Sequence, residues 1–263
     1  MKNSIPVVLL CGGKGTRIRE MTDTVPKPMV EIGGSPILWH IMKTYSHYGY
    51  NNFVTCLGYK GHKIKEYFYN YELRQSDVTV DLGRKSNFFI HSVHSEDNWK
   101  VTLADTGEES MTGSRIKQIE KYINSDTFML TYGDGVCDVD IDALMAFHKS
   151  HGKIGTVTGV HPPSRFGELL LDGDRVANFN EKPQTSQGRI NGGFFVFNKE
   201  IFKYVSEEEN CIFEREPLEA LANNGELMMY KHDGFWQCMD TLRDMEYLEK
   251  VWAQNNCPWR KWD

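Results

Sequence analysis

The chain has 263 residues, enough for one large domain that buries about three quarters of the surface its unfolded form exposes. Apolar content of 40% and charged content of 25% are ordinary for a globular protein, and a net charge of −6 argues against a nucleic-acid partner, which would meet a basic face. No apolar run nears the ~20 residues that span a bilayer, and the start Met1-Lys2-Asn3-Ser4-Ile5-Pro6 runs directly into a strand rather than forming a signal peptide, so no membrane partner is expected.

The first element is the apolar run Val7-Val8-Leu9-Leu10, which reads as a buried strand. It opens into Leu10-Cys11-Gly12-Gly13-Lys14-Gly15-Thr16-Arg17. Three glycines in four positions let backbone N–H groups come close to a ligand, and consecutive N–H groups form an anion-binding concavity. Lys14, Arg17 and Lys27, the last between Pro26 and Pro28, add positive charge, so the overall acidic balance does not exclude a phosphate-bearing ligand. The loop is not a Walker loop, because no Gly-Lys is followed by Ser or Thr, and a dinucleotide pattern started at Gly13 fails at Ile18. A tight turn with a solvated lysine and arginine is the alternative that spacing alone leaves open.

Ser35 caps a helix opened by Pro36, with Ile37, Leu38, Ile41, Met42 and Tyr45 at helical spacing and Gly49 at its stop. Phe53 to Leu57 is a second buried strand, and Ile64, Tyr67, Phe68 and Tyr71 make one face of a second helix. This alternation predicts a mostly parallel sheet flanked by helices. Residues 78–105 alternate and are polar, which predicts a small extended excursion from the main sheet. Asp126 to Tyr132 is a strand ending at Gly133-Asp134; Ala143, Leu144 and Phe147 belong to a helix ending before Gly152; Ile154 to Val160 is a strand. Phe166–Leu171 and Val176–Phe179 flank Asp172-Gly173-Asp174 as a hairpin. Phe194 to Phe197 is a strand entered through Asn191-Gly192-Gly193, followed by helix Glu216–Ala222, strand Leu227–Tyr230 and helix Thr241–Trp252. The tail carries Trp259 and Trp262, expected to be exposed. No repeat or linker divides residues 1–263, so a single domain is expected.

In open α/β sheets ligands sit beyond the carboxyl ends of strands, where both the Gly12 loop and Asp134 fall. Asp134, between two glycines, is either a ligand-facing carboxylate or a turn residue, and Asp240 is either a site residue or the N-cap of the last helix. Asp138, Asp140 and Asp142 lack the glycine and distal glutamate of a calcium loop and are read as capping and charging the next helix. His148 and His151 fall near that helix's C-terminus, where the dipole favours them, and His91 and His94 would face opposite ways on an extended stretch. Cys11, Cys56, Cys137, Cys211, Cys238 and Cys257 have no C-x-x-C spacing, which favours reduced thiols in a cytoplasm over disulfides or a zinc site.

The Gly12 loop resembles the L-A-G-G-x-G-T-R-L signature of the sugar-phosphate nucleotidyltransferases, with Cys11 for Ala and Ile18 for Leu. Pro26-Lys27-Pro28-Met29 is similar to the family's second motif. Pro36 to Lys43, Gly58-Tyr59-Lys60-Gly61, Tyr132-Gly133-Asp134-Gly135 and Gly234 to Thr241 resemble one branch, whose members join CTP to glucose 1-phosphate. The resemblance implies a Rossmann-like α/β fold of the nucleotide-diphospho-sugar transferase type, with Mg²⁺ held by Asp134 and Asp240. It implies nucleotide contacts from residues 10–17, Ser110, Arg115 and Gly133, and sugar-phosphate contacts from Lys27, Tyr132, Glu181, Lys182, Asn191 and Gly192. Arg17 and Lys27 would be the catalytic charges, acting on the departing pyrophosphate and on the attacked phosphate. Ser114 departs from the branch, which usually has Gly there. The resemblance also implies a homo-oligomer and a product destined for deoxysugars of surface polysaccharide, such as lipopolysaccharide O-antigen. The rivals are an enzyme using UTP or dTTP and a non-catalytic nucleotide-sugar sensor; the joint presence of Arg17, Lys27, Asp134 and Asp240 speaks against the sensor.

Overall fold

The computed structural model describes residues 2–15, 22–83, 87–91, 95–96, 98–162, 168–172, 175–180, 188–254 and 257–262, with backbone alone for 168–172 and 176–180. Thr16, Arg17, Ile18, His94, Phe166, Gly173, Asp174, Glu181 and Lys182, all singled out above, lie outside the described residues. Fifteen described strands run in chain order: β1 (Val7–Leu10), β2 (Glu31–Ile32), β3 (Ser35–Pro36), β4 (Asn52–Leu57), β5 (Val78–Asp81), β6 (Asn87–Ile90), β7 (Lys100–Asp105), β8 (Thr127–Tyr132), β9 (Gly135–Cys137), β10 (Gly155–Val160), β11 (Glu168–Asp172), β12 (Arg175–Asn180), β13 (Ile190–Asn198), β14 (Leu227–Lys231) and β15 (Trp236–Cys238). The described helices are α1 (Ile37–His47), α2 (Gly61–Tyr69), α3 (Tyr71–Gln75), α4 (Thr112–Gln118), α5 (Ile141–His151), α6 (Glu216–Asn223) and α7 (Leu242–Ala253). No helix among the described residues is long and apolar enough to cross a membrane.

Seven strands make one sheet in the order β14-β10-β13-β8-β1-β4-β7. β13 runs antiparallel to both neighbours and every other pairing is parallel. β1 lies inside the sheet and is covered on both faces, which is why it is apolar at every position rather than alternating. Successive side chains of a strand point to opposite faces. Val7 and Leu9 accordingly enter a core with Ile37, Ile41 and Tyr45 of α1, Leu144 of α5 and Leu248 of α7. Val8 and Leu10 enter the other core, with Ile116 of α4 and Leu221 of α6. The mostly parallel sheet flanked by helices is the expected fold.

Several local expectations change. Ser35 and Pro36 do not start a helix: they pair with β2 as strand β3, through a turn at Gly33-Gly34 whose φ values of 59° and 79° suit glycine. The α1 terminus has no side-chain cap; Ile37 N donates instead to Val30 O at 2.9 Å. The second helix breaks after Tyr69 into α2 and α3, although Ile64, Tyr67 and Tyr71 do share a buried side. The excursion is shorter than 78–105. β5 and β6 form a hairpin of their own, and β7 rejoins the main sheet as an edge strand parallel to β4. An edge strand is only partly covered, which accounts for its polar pattern. Trp259 is not exposed: it is fully buried, stacked on Phe235 at 5.4 Å between ring centroids.

The three aspartates also separate. Asp140 caps α5, accepting from Ala143 N at 2.9 Å, and Asp142 pairs with Lys2. Asp138 does neither; it stands 2.9 Å from His232 Nε2. His148 bonds Thr156 Oγ1 and Asn198 Oδ1, and burial lowers its pKa, so a buried neutral ring, and not the helix dipole, accounts for its place. All six cysteines are free thiols.

Candidate active site

β1 lies between β4, which follows it in the chain, and β8, which comes much later. The chain therefore leaves the carboxyl ends of these adjacent strands toward different sides and opens a crevice there. A cleft of about 520 Å³ occupies it, walled by Leu10 to Gly15, Lys27, Pro28, Glu108 to Thr112, Arg115, Tyr132 to Asp134 and Asp240.

One wall is the glycine loop. Cys11 N donates to Cys56 O at 3.0 Å, which carries the β1–β4 ladder one step further before the loop turns away. Gly12 is needed for space: a Cβ there would lie 2.2 Å from Arg115 Cζ. Gly15 is needed for conformation, with φ at 59°. The Arg115 guanidinium, on α4, donates to Leu57 O, Gly107 O, Glu108 O and Gly12 O and to Thr106 Oγ1, at 2.7 to 3.2 Å. It lines the cleft while tying three loops to one another. Lys14 spans the mouth to Glu109, 2.8 Å from each carboxylate oxygen. Ser110 is buried and receives Gln118 Nε2 at 3.3 Å. Ser114 lies inside α4 with an ordinary backbone and donates to Glu207 O, so the serine is accommodated without disturbing the loop.

The floor is a pair of acids from distant parts of the chain. Asp134 follows β8. β15 pairs antiparallel with β9, Cys238 opposite Gly135, and Met239 N then donates to Asp134 O at 2.8 Å. The ladder delivers Asp240 beside Asp134. The last helix is capped by Thr241, not Asp240: Thr241 Oγ1 accepts from Asp244 N, and the Asp244 carboxylate accepts from Thr241 N at 2.8 Å, a capping box. Lys27, on a single turn Lys27–Met29, puts Nζ 2.6 Å from Asp134 Oδ2 and 2.6 Å from Asp240 Oδ1. Burial alone would lower the Lys27 pKa; the charge of Asp134 and the bonds to both carboxylates outweigh it, and the net shift is upward.

At the far end Tyr132 OH donates to Glu214 Oε1 at 2.7 Å and accepts from Asn191 Nδ2 at 3.2 Å. Asn191 and Gly192 stand outside the cleft lining, and Asn191 reaches it through Tyr132. Trp236 Nε1 holds Gly192 O at 2.8 Å.

A family model described as nucleotidyl transferase matches residues 6–245. The chain belongs to the nucleotidyl transferase family. Glucose-1-phosphate cytidylyltransferases from Salmonella typhi and Salmonella typhimurium are each 51% identical to this nucleotidyl transferase over 257 residues, 97% of this chain and 99% of theirs. Among solved structures, HddC from Yersinia pseudotuberculosis shares the fold with a TM-score of 0.67 at 24% identity, over 94% of this chain and 99% of that one.

The nucleotidyl transferase thus brings together, from the expected set, Leu10 to Gly15, Lys27, Ser110, Arg115, Tyr132, Gly133, Asp134 and Asp240 around one cleft. Glu109, Glu214 and Asp244 escaped sequence reasoning. Thr241-x-x-Asp244 was legible as a capping pattern before an amphipathic run. Glu109 sits in a polar stretch and Glu214 just after Cys211-Ile212-Phe213, neither with a local signal. The acids of this nucleotidyl transferase suit a hard divalent cation. Asp134, Asp240 and Cys238 offer ligand atoms within 4.8 Å of one another. Burial raises the Cys238 pKa and keeps it a thiol, which leaves the two carboxylates as the oxygen donors that Mg²⁺ prefers.

Proposed function

We propose that this nucleotidyl transferase makes CDP-glucose and pyrophosphate from CTP and α-D-glucose 1-phosphate. The carrying observation is the meeting of Lys27, Asp134 and Asp240 beneath the glycine loop, in a chain 51% identical over 97% of its length to a glucose-1-phosphate cytidylyltransferase.

The sugar phosphate is already an anionic nucleophile, so in-line attack on the CTP α-phosphate requires no general base and no covalent intermediate. Rate then comes from positioning and from neutralising charge that builds on the phosphoryl oxygens. The N–H groups of the Gly12 loop receive the triphosphate, and Arg17, by its place in the motif, steadies the departing pyrophosphate. Lys27 faces the attacked phosphate. Mg²⁺ held by Asp134 and Asp240 would supply further neutralisation of both substrates' phosphates. Tyr132, Asn191 and Gly192 form the sugar side, joined by Glu181 and Lys182 on the strength of their sequence motif. A homo-oligomer, a cytoplasmic location and a product directed to deoxysugars of O-antigen are parts of the same reading.

Pyrophosphate release measured with CTP, UTP and dTTP, each with glucose 1-phosphate, tests it. The highest kcat/KM is expected with CTP. A higher value with UTP or dTTP overturns the nucleotide assignment, and no release with any of the three favours the sensor.

A further inference from the structure

Glu214 lies in the turn that precedes α6, in a segment docked against the start of α4. Phe213 beside it is fully buried, its ring in edge contact with Phe195 and Phe197. Met111 N donates to Glu209 O at 2.7 Å and Gly113 N to Cys211 O at 2.9 Å. The Glu214 backbone is therefore held in place, and its carboxylate is aimed by its surroundings.

That carboxylate accepts from two hydroxyls on different sides of the cleft. Thr112 Oγ1 donates to Oε2 at 2.6 Å and Tyr132 OH to Oε1 at 2.7 Å. Neither hydroxyl is free to turn. Thr112 Oγ1 already accepts from Phe213 N at 2.9 Å, and Tyr132 OH already accepts from Asn191 Nδ2 at 3.2 Å. A hydroxyl has one proton, so each proton goes to Glu214, and an ionised carboxylate can accept both. Asn191 is oriented in turn, because its Oδ1 takes Gly193 N at 2.9 Å. The result is one directed chain: Asn191 to Tyr132 to Glu214, met from the other side by Phe213 to Thr112 to Glu214.

We propose that Glu214 is a positioning residue that couples the nucleotide half of the cleft, entered at Thr112, to the sugar half, entered at Tyr132 and Asn191. The inference rests on the substrate assignment above. Thr112 and Tyr132 both line the cleft, so ordering either substrate orders a hydroxyl that Glu214 shares with the other.

Glu214→Gln keeps the shape but supplies an N–H where one hydroxyl has only a proton to offer. That hydroxyl loses its acceptor, and the chain breaks on one side. The test is calorimetric binding of a non-reacting α,β-methylene analogue of CTP, with and without saturating glucose 1-phosphate. In the wild type, glucose 1-phosphate is expected to tighten analogue binding severalfold, and in Glu214→Gln this factor is expected to fall to about one. In turnover assays Tyr132→Phe should raise KM for glucose 1-phosphate and Thr112→Val that for CTP, each roughly 10-fold at a loss of about one hydrogen bond. Thr112→Ser keeps the hydroxyl and should retain the wild-type coupling factor, whereas Thr112→Val, which lacks it, should lose the coupling as Glu214→Gln does. An unchanged coupling factor in both Glu214→Gln and Thr112→Val overturns the proposal while leaving the reaction intact. A wild-type chain that binds neither ligand overturns the proposal together with the substrate assignment.

Discussion

Lys27 Nζ lies 2.6 Å from Asp134 Oδ2, and the same ammonium is shared with Asp240. One half-buried cation thus offsets two carboxylates that would otherwise repel across the floor of the cleft. Lys27→Met removes that cation. The expected result is a fall in kcat on the order of 10²-fold or more, as for loss of a transition-state electrostatic contact. Added Mg²⁺ should also raise Tm more in the variant than in the wild type, because carboxylates that have lost the Lys27 charge gain more from a dication. Thermal melts in EDTA and in Mg²⁺ check this; equal Mg²⁺ shifts in both proteins would refute it.

Asp240 and Thr241 are adjacent but separable. Asp240→Asn leaves the capping box intact, so Tm should stay near wild type while turnover falls on the order of 10²-fold or more. Thr241→Ala removes the cap and should cost about 1 kcal/mol of stability while leaving most activity in place. Melts and steady-state kinetics on the pair decide the matter. Lost activity in Thr241→Ala with near-normal activity in Asp240→Asn would reverse the assignment.

Arg115→Lys keeps the charge but cannot reach the four carbonyls and one hydroxyl that the guanidinium serves. Leu57 O keeps Thr106 as a donor and Gly12 O keeps Tyr59 N, but Gly107 O and Glu108 O lose the guanidinium, at up to about 1–3 kcal/mol each, so Tm should drop by a few degrees and kcat/KM should fall for both substrates. A selective rise in KM for CTP with an unchanged Tm would show instead that Arg115 acts on the nucleotide directly.

His40 is fully buried among Trp252, Trp259 and Trp262, with Nε2 at 2.8 Å from Ile32 O. Burial, with Arg260 nearby, lowers its pKa to about 4 against the opposing pull of the Ile32 carbonyl. The unfolded chain then binds a proton near pH 6.5 that the folded chain refuses until about 4. Stability contributed by this neutral histidine is complete above pH 6.5 and lost progressively as pH falls to 4, by up to about 3 kcal/mol. His40→Gln should flatten the Tm profile across that window. An identical slope in both proteins would assign the acid sensitivity to other groups.

The sequence by itself determined most strands of the main sheet, most helices and the glycine loop after β1. Those features depend on periodicity and on residue chemistry within a few positions: an apolar run for β1, a 3.6-residue repeat for α1, closely spaced glycines after Leu10. Tertiary structure decided what lies beside what. Asp240 reaches Asp134 only through the register of β15 on β9. Ser35, a good cap by local rules, became a strand residue because β2 offered it a partner. Trp259, in a polar tail, was drawn into the core because burying an indole against Phe235 outweighs the tail's preference for water. Glu214 carries no mark in its own stretch, since its partners Thr112 and Tyr132 are supplied by α4 and β8. Local signals act over one turn or one strand; register and burial are settled by contacts between residues far apart in the chain, and those set which side chains share the site.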